Sequence, residues 1–226
     1  MKHHTLGPRA LSCQNCGGPI SFNGTFCSYC RAPQAVSALP ELQRGEPYFA
    51  LDFTRDQLPG AESTNAVRRA DGILLDVPAR GMLLGDVGQP MRDSCVSMSG
   101  ICLSPHVTMG VMARMNRIES ARVGYTLQIR PGFRTYCLRR VLTTPQETIL
   151  EPLRDWEVTR EVAPVGQPNH IELRFAESVL TVAINGSVVT TLIDARFGFG
   201  LAGWRLTTFE ERGQALLRSF EIRAVY

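Results

Sequence analysis

Hydrophobic and polar residues alternate over most of the chain beyond residue 47. In one segment, Tyr125, Leu127 and Ile129 would lie on one face of a strand, with Thr126 and Gln128 on the other. Runs of this kind are separated by Gly, Pro, Asn and Asp about every ten residues, and no segment keeps a helical period. The pattern predicts about a dozen strands and no helix, which favours an antiparallel two-sheet β-sandwich.

One hairpin is predicted from its turn. Leu180, Val182 and Ile184 share a face and lead into Asn185-Gly186, after which a second alternating run, VVTTLID, returns. A two-residue hairpin turn requires positive φ, which Asn and Gly tolerate. The sequence therefore predicts two antiparallel strands joined at this dipeptide.

The hairpin lies within a longer resemblance. The stretch NHIELRFAESVLTVAINGSVVTTLIDARFGFGLAGWRL resembles the C-terminal half of concanavalin A-like, laminin-G-like jelly rolls. YFALDF resembles their opening strand, and VTMGVMARM followed by VGYTLQIR resembles their central hairpin. The resemblance covers about residues 46–226 and implies a jelly-roll domain. This fold serves lectins, glycan hydrolases and packing modules, so function has to be argued from a site.

Four cysteines near the start of the chain predict a metal site. Cys13, Cys16, Cys27 and Cys30 are spaced C-x2-C-x10-C-x2-C, so two tight turns can bring four thiolates around one tetrahedral Zn²⁺. Two disulfides or a redox pair are the alternatives. Disulfides need an oxidising compartment, and a redox C-x-x-C belongs at the start of a helix. Structural zinc is favoured, and its four protein ligands leave no open position for catalysis.

The same segment resembles the short zinc ribbons of bacterial and archaeal proteins, which read CxxCG…FCxxCG. Arg31 stands where that pattern usually has glycine, but all four ligands are kept. The predicted organisation is a disordered tail over 1–10, a zinc ribbon over 11–33, a proline-containing linker over 34–46 and a concanavalin A-like sandwich over 47–226. One structural Zn²⁺ per chain is expected.

Charge and hydropathy exclude some classes of partner. The net charge of +3 lies wholly in residues 1–40, which contain Lys2, Arg9 and Arg31 and no acidic residue. Four thiolates and Zn²⁺ together carry −2, so a loaded ribbon keeps about +1, a poor electrostatic match for nucleic acid. No apolar run approaches the roughly 18–20 residues of a membrane span. The first residues lack the apolar core of a signal peptide, so a cytoplasmic location is expected.

Candidate catalytic residues are few. The E-x-D-x-(x)-E run of glycan hydrolases with this fold is absent, and Glu119, Glu210 and Glu211 are the nearest acidic residues. Glu210-Glu211 is predicted to lie in an exposed hairpin loop, and His106 and His170 form no triad pattern. Four aspartates near strand ends are predicted to cap turns, with Ca²⁺ binding as the alternative: Asp52, Asp76, Asp86 and Asp194. The sequence therefore predicts that the protein is not an enzyme.

Candidate ligand-binding residues are Trp156, Trp204, Arg134 and Arg139. The tryptophans could stack on sugar rings, although packing on the sandwich is favoured for both. Arg134, Arg139 and Arg140 could form a basic surface with Arg130 that binds an acidic protein or an anionic glycan. An ordinary solvated strand face is the favoured interpretation. The remaining cysteines are predicted to be buried thiols: Cys95, Cys102 and Cys137.

The sequence thus favours a non-enzymatic, zinc-binding interaction protein. Its ribbon and sandwich would dock on another protein or a larger protein assembly. A carbohydrate-binding, lectin-like module is the alternative, and a glycoside-processing enzyme or a nucleic-acid binder has less support.

The zinc hypothesis is testable in the intact chain. A module of about 25 residues buries too little core to fold without its metal. We expect Cys16→Ser to lose about one equivalent of zinc and to unfold residues 11–32, while the sandwich keeps its strand circular dichroism and cooperative melting. Metal quantification and a melting curve check this. Loss of strand signal across the whole protein would contradict independent domains.

Overall fold

The computed structural model describes residues 44–57, 66–118 and 121–225, all within a unit that spans Glu41–Tyr226. The four predicted zinc ligands, the predicted tail and ribbon, and most of the predicted linker lie outside the described residues. The first strand begins at Arg44, so residues 44–46 of the predicted linker are strand.

Fourteen strands and one short 3₁₀ helix, Pro131–Phe133, make up the regular structure of the described residues. The helix departs from the expectation of none, and its proline fixes φ at a value that suits a tight turn. The strands are β1 Arg44–Asp52, β2 Ala66–Arg69, β3 Gly72–Val77, β4 Met82–Met91, β5 Ser94–Cys102, β6 Val107–Ile118, β7 Ala121–Arg130, β8 Thr135–Thr143, β9 Thr148–Val158, β10 Pro168–Ala176, β11 Val179–Ile184, β12 Ser187–Ile193, β13 Gly200–Thr208 and β14 Gly213–Val225.

The strands form two antiparallel sheets, which confirms the predicted all-β sandwich. One sheet has the order β12-β11-β10-β5-β14-β3-β2. Its long strand β14 pairs with β3 through Gly213–Leu217 and with β1 through Ser219–Val225, which makes this an eight-stranded sheet. The other sheet has six strands in the order β4-β13-β6-β7-β8-β9.

The core lies between the sheets and is built by alternation. Val107, Met109 and Val111 of β6 are fully buried, and Tyr125 and Leu127 of β7 pack with them in the same cluster. Each such side chain contributes about 1.5–3 kcal/mol by leaving water. Alternate residues of these strands must then point away from the core, and this fixes which side chains form the outer face of the six-stranded sheet.

The predicted hairpin is confirmed in its turn. β11 ends at Ile184 and β12 begins at Ser187, while Asn185 and Gly186 have φ of 51° and 87°. The Asn185 side chain also accepts a hydrogen bond from the His170 amide at 2.7 Å. The turn therefore fixes the start of β10 as well as the register of β11 with β12.

The cysteines of the sandwich are buried thiols, as predicted. Cys95 and Cys102 are 1% exposed and Cys137 is fully buried. Burial raises the pKa of Cys102 to about 12 and that of Cys137 to about 11. Both thiols are therefore protonated at neutral pH.

Gly85 is required by the packing of Trp204. The two residues are opposite each other on β4 and β13, and a Cβ at Gly85 would overlap the indole ring. We expect Gly85→Ala to lower the free energy of unfolding by about 1–3 kcal/mol, because the core must shift to admit the methyl group.

Urea unfolding curves measure this effect. Gly198→Ala is the matched control, since a Cβ there meets no atom within 4 Å. Equal midpoints for the two variants would contradict the packing argument.

Candidate functional site

The candidate site lies on the outer face of the six-stranded sheet. A row of opposed residues crosses its middle: Arg205 of β13 faces Gly110 of β6, Gly110 faces Gln128 of β7, and Gln128 faces Cys137 of β8. Gln128 is 2% exposed and Cys137 is fully buried, so this row forms a closely packed floor to the candidate site. Gly110 has no room for a side chain, because a Cβ would meet the Leu127 carbonyl and the Gln128 side chain.

Arginines and aromatic rings stand together at one end of this face. The Arg130 guanidinium lies 4.1 Å from the ring centroid of Trp156, 4.5 Å from that of Phe209 and 5.2 Å from that of Phe133. The Arg139 guanidinium lies 5.3 Å from the Trp156 ring. We call these five residues the arginine–aromatic cluster. Trp156 is half-buried, whereas Phe133 and Phe209 are 61% and 48% exposed.

Three arginines of this face each have a buried Nε–H group that makes no hydrogen bond. The Nε atoms of Arg130, Arg139 and Arg205 are all buried and have no hydrogen-bond partner. Arg139 donates through Nη2 to Asp155 at 3.0 Å. Burial lowers the pKa of Arg130 and Arg205, and the nearby charge of Arg139 lowers both further. They remain cationic at neutral pH, because a guanidinium starts from a pKa above 12.

A cavity of about 580 Å³ lies where β4, β6, β7 and β13 begin or end. Phe199, which is 50% exposed, lines it together with Asn116, Arg117 and Arg122. Arg122 forms an ion pair with Asp86. This end of the sheet therefore also offers a ring and polar groups, but Arg122 already has a carboxylate partner.

The structure divides the predicted ligand-binding residues. Trp156 and Arg139 come together in the arginine–aromatic cluster. Trp204 is 1% exposed in the core, so its ring is not available to a ligand. Arg134 has φ of 51° and donates to the Val162 carbonyl at 3.0 Å and the Arg160 carbonyl at 2.6 Å, which ties a loop together.

The predicted basic surface is likewise split. Arg140 turns toward Asp194 and Glu151, with contacts of 2.5 Å and 2.6 Å, whereas Arg130 and Arg139 lie on the outer face. Sequence reasoning missed Arg205 and the two phenylalanines. The alternation of Arg205 with Trp204 and Leu206, both core residues, was the clue to its outward position.

The acidic residues do not gather on this face. Asp52 caps a turn by accepting the Thr54 amide, and Asp194 caps one by accepting the Arg196 amide, as predicted. Asp76 and Asp86 instead form ion pairs, with Arg212 and Arg122 respectively.

Glu210 and Glu211 are exposed in the turn between β13 and β14, and Glu119 lies outside the described residues. Among the residues described, no three acidic, His or Cys side chains group as metal ligands. No helix in the described ranges is long and apolar enough to cross a membrane.

A hydrogen-bonded Ser–His–Glu series lies on the outer face of the eight-stranded sheet. Ser99 Oγ is 2.7 Å from His170 Nδ1, and His170 Nε2 is 2.9 Å from Glu172 Oε1. This series could not be predicted from the sequence, because Ser99 and His170 are 71 positions apart and meet only through the pairing of β5 with β10. Arg174 also binds Glu172, at 2.7 Å.

Solved structures with a similar fold include glycan-related proteins. A protein of unknown function with a galectin-like fold from Bacillus subtilis is 14% identical over 82% of this chain and 99% of that one, with a TM-score of 0.57. The carbohydrate-binding module CBM66 from Bacillus subtilis is 10% identical over 72% and 92% of the two chains, with a TM-score of 0.53. The kappa-carrageenase from Pseudoalteromonas carrageenovora, in complex with an oligotetrasaccharide of kappa-carrageenan, is 8% identical over 85% and 99%, with a TM-score of 0.54.

At these identities the likeness concerns the fold alone. The sandwich is a galectin-like, concanavalin-like jelly roll, in agreement with the resemblance over residues 46–226. No protein-family model and no curated protein matches the chain.

Proposed function

We propose that the sandwich is a carbohydrate-binding module and that the outer face of the six-stranded sheet is its binding surface. The arginine–aromatic cluster carries this proposal. Exposed rings at Phe133 and Phe209 offer apolar faces to the C–H side of a sugar, and the cationic guanidinium groups of the cluster suit its hydroxyls. The similarity of the fold to glycan-binding proteins supports the same proposal.

This proposal takes the place of protein docking as the main function of the sandwich. We retain, as a proposal, one structural Zn²⁺ held by Cys13, Cys16, Cys27 and Cys30, which rests on their spacing. An assembly role for that segment remains a hypothesis that rests on the sequence alone.

We propose further that the module is not an enzyme. Glycoside hydrolysis uses a carboxylic acid of raised pKa together with a second carboxylate. The Trp156 amide and Arg139 lower the pKa of Asp155, the carboxylate beside the arginine–aromatic cluster, which is the reverse of what a general acid needs. Asp86 is held by Arg122.

The Ser–His–Glu series is also better explained as structure than as catalysis. Acyl transfer requires free N–H groups that stabilise an oxyanion. Ser99 lies in β5, which is paired with β10 on one side and β14 on the other, so the backbone amides around it are engaged in the sheet.

Glycan binding predicts a loss on removal of an exposed ring at the cluster. We expect Phe209→Ala to weaken binding of the best ligand on a glycan array by about tenfold, because the stacking surface is lost. Isothermal titration calorimetry measures the affinity.

Phe199→Ala is the matched control, since Phe199 is 50% exposed and Phe209 48%, at opposite ends of the sheet. A loss in the Phe199 variant alone would move the binding site to the cavity. Absence of any glycan ligand would contradict the proposed function.

The non-enzymatic proposal predicts that Ser99 is not a nucleophile. We expect a fluorophosphonate probe to leave Ser99 unlabelled, because no oxyanion-stabilising donors accompany it. Mass spectrometry of the labelled protein checks this, with Ser99→Ala as the background control and a serine hydrolase as the positive control. Labelling that disappears in Ser99→Ala would contradict the proposal.

A further inference from the structure

We propose that the glycan bound on the outer face is anionic, and that Arg130, Arg139 and Arg205 bind its sulfate or carboxylate groups. This inference rests on the proposed function and deepens it, since it names the class of ligand.

The three arginines converge on one part of the sheet although they come from three strands. Arg130 faces Thr135 and Arg139 faces Thr126 across β7 and β8, while Arg205 enters from β13. The positive charges of Arg139, Arg130 and Arg205 all reach the Cys137 thiol, where they oppose the rise in its pKa that burial causes. The three guanidinium groups thus lie within electrostatic range of one buried thiol beneath this face.

These guanidinium groups have few acceptors, although the Nε atom of each is buried. Among the described residues, Arg130 is contacted by aromatic rings and neither it nor Arg205 has a carboxylate or carbonyl acceptor. Arg139 has a single carboxylate, that of Asp155, which is 76% exposed. Desolvating a charge without a partner is costly, so a bound anion would recover that energy.

Other arginines of the same sandwich are satisfied within the fold. Arg114 donates to the carbonyls of Arg92 and Phe197 at 3.2 Å and 2.9 Å. Arg140 binds two carboxylates, those of Asp194 and Glu151. Arg130 and Arg205 differ from these arginines, because among the described residues neither has an acceptor within the fold.

The surroundings of the arginines favour an anionic glycan over an acidic protein. The Oγ atoms of Thr126 and Thr135 are also buried without a hydrogen-bond partner, so hydroxyl groups lie beside the cations. Exposed rings at Phe133 and Phe209 suit the C–H face of a sugar. Strands β13, β6, β7 and β8 are each paired on both sides, so this surface offers no free edge to which a peptide strand could add.

A matched series of polymers tests the inference on the full-length chain. Dextran sulfate, carboxymethyl dextran and unmodified dextran share one backbone and differ in their charged group. We expect a charged derivative to bind at least about tenfold more tightly than neutral dextran, with an affinity that falls as salt is added. The derivative that binds more tightly distinguishes sulfate from carboxylate.

Variants tie the binding to the site. We expect Arg205→Gln to weaken binding of the charged dextran by about tenfold and Arg205→Lys to weaken it less, because lysine keeps the charge but loses the planar donor array. Arg69→Gln, at an exposed arginine of β2 in the other sheet, should leave it unchanged. Melting temperatures confirm folding, and Arg130→Gln provides a second variant should Arg205→Gln fail to fold.

The outcomes separate this inference from the proposed function. Equal losses in Arg205→Gln and Arg69→Gln would indicate non-specific charge attraction and overturn the inference. A neutral glycan that depends on Phe209 but not on Arg205 would overturn the inference and leave the glycan-binding function standing. Tighter binding of polyglutamate than of any dextran, with no glycan ligand on the array, would overturn both.

Discussion

The two-residue alternation of side chains is the constraint on which the rest of this structure depends. In each strand that lines the core, every second residue points into the space between the sheets. A shift of register by one residue would turn those side chains to the outer face and bury the polar ones. On β7 this rule buries Tyr125, Leu127 and Ile129 and commits Gln128 and Arg130 to the opposite face. The composition of the outer face is therefore fixed by the same energy that forms the core.

Alternation also explains how far the sequence could be interpreted. It was sufficient to predict strands, the two-sheet sandwich and the Asn185-Gly186 turn, because each depends on residues close together in the chain. It could not predict that Arg205 lies near Cys137 or that Ser99 meets His170. Those contacts depend on which strands become neighbours, and strand order is decided by packing of the whole domain.

Local sequence also failed where backbone conformation redirects a side chain. Arg134 was grouped with Arg139 as part of one basic surface, because both lie in a single strand-like run. A 3₁₀ turn precedes Arg134. The φ of Arg134, 51°, directs its guanidinium back to the carbonyls of a neighbouring loop. The turn begins at Pro131, but the partners of Arg134 are more than 25 residues away and could not be inferred.

The two outer faces of the sandwich differ in how their buried charged groups are compensated. On the eight-stranded sheet, Glu172 is 1% exposed and is compensated by Arg174 and His170 at hydrogen-bond distance. A network of this kind holds strands in place and leaves little for a ligand to satisfy. On the six-stranded sheet, the Nε atoms of Arg130 and Arg205 are buried without an acceptor.

That difference is the physical basis for placing the binding function on one sheet. An unsatisfied buried donor lowers the stability of the isolated fold, and its cost is removed only when an acceptor arrives. Aromatic rings around Arg130 reduce the cost in the meantime, because a guanidinium over a ring face is attracted by the π electrons. The cluster thus keeps a cation without a carboxylate partner in place at the surface of a packed sheet, where an anionic ligand would compensate its charge.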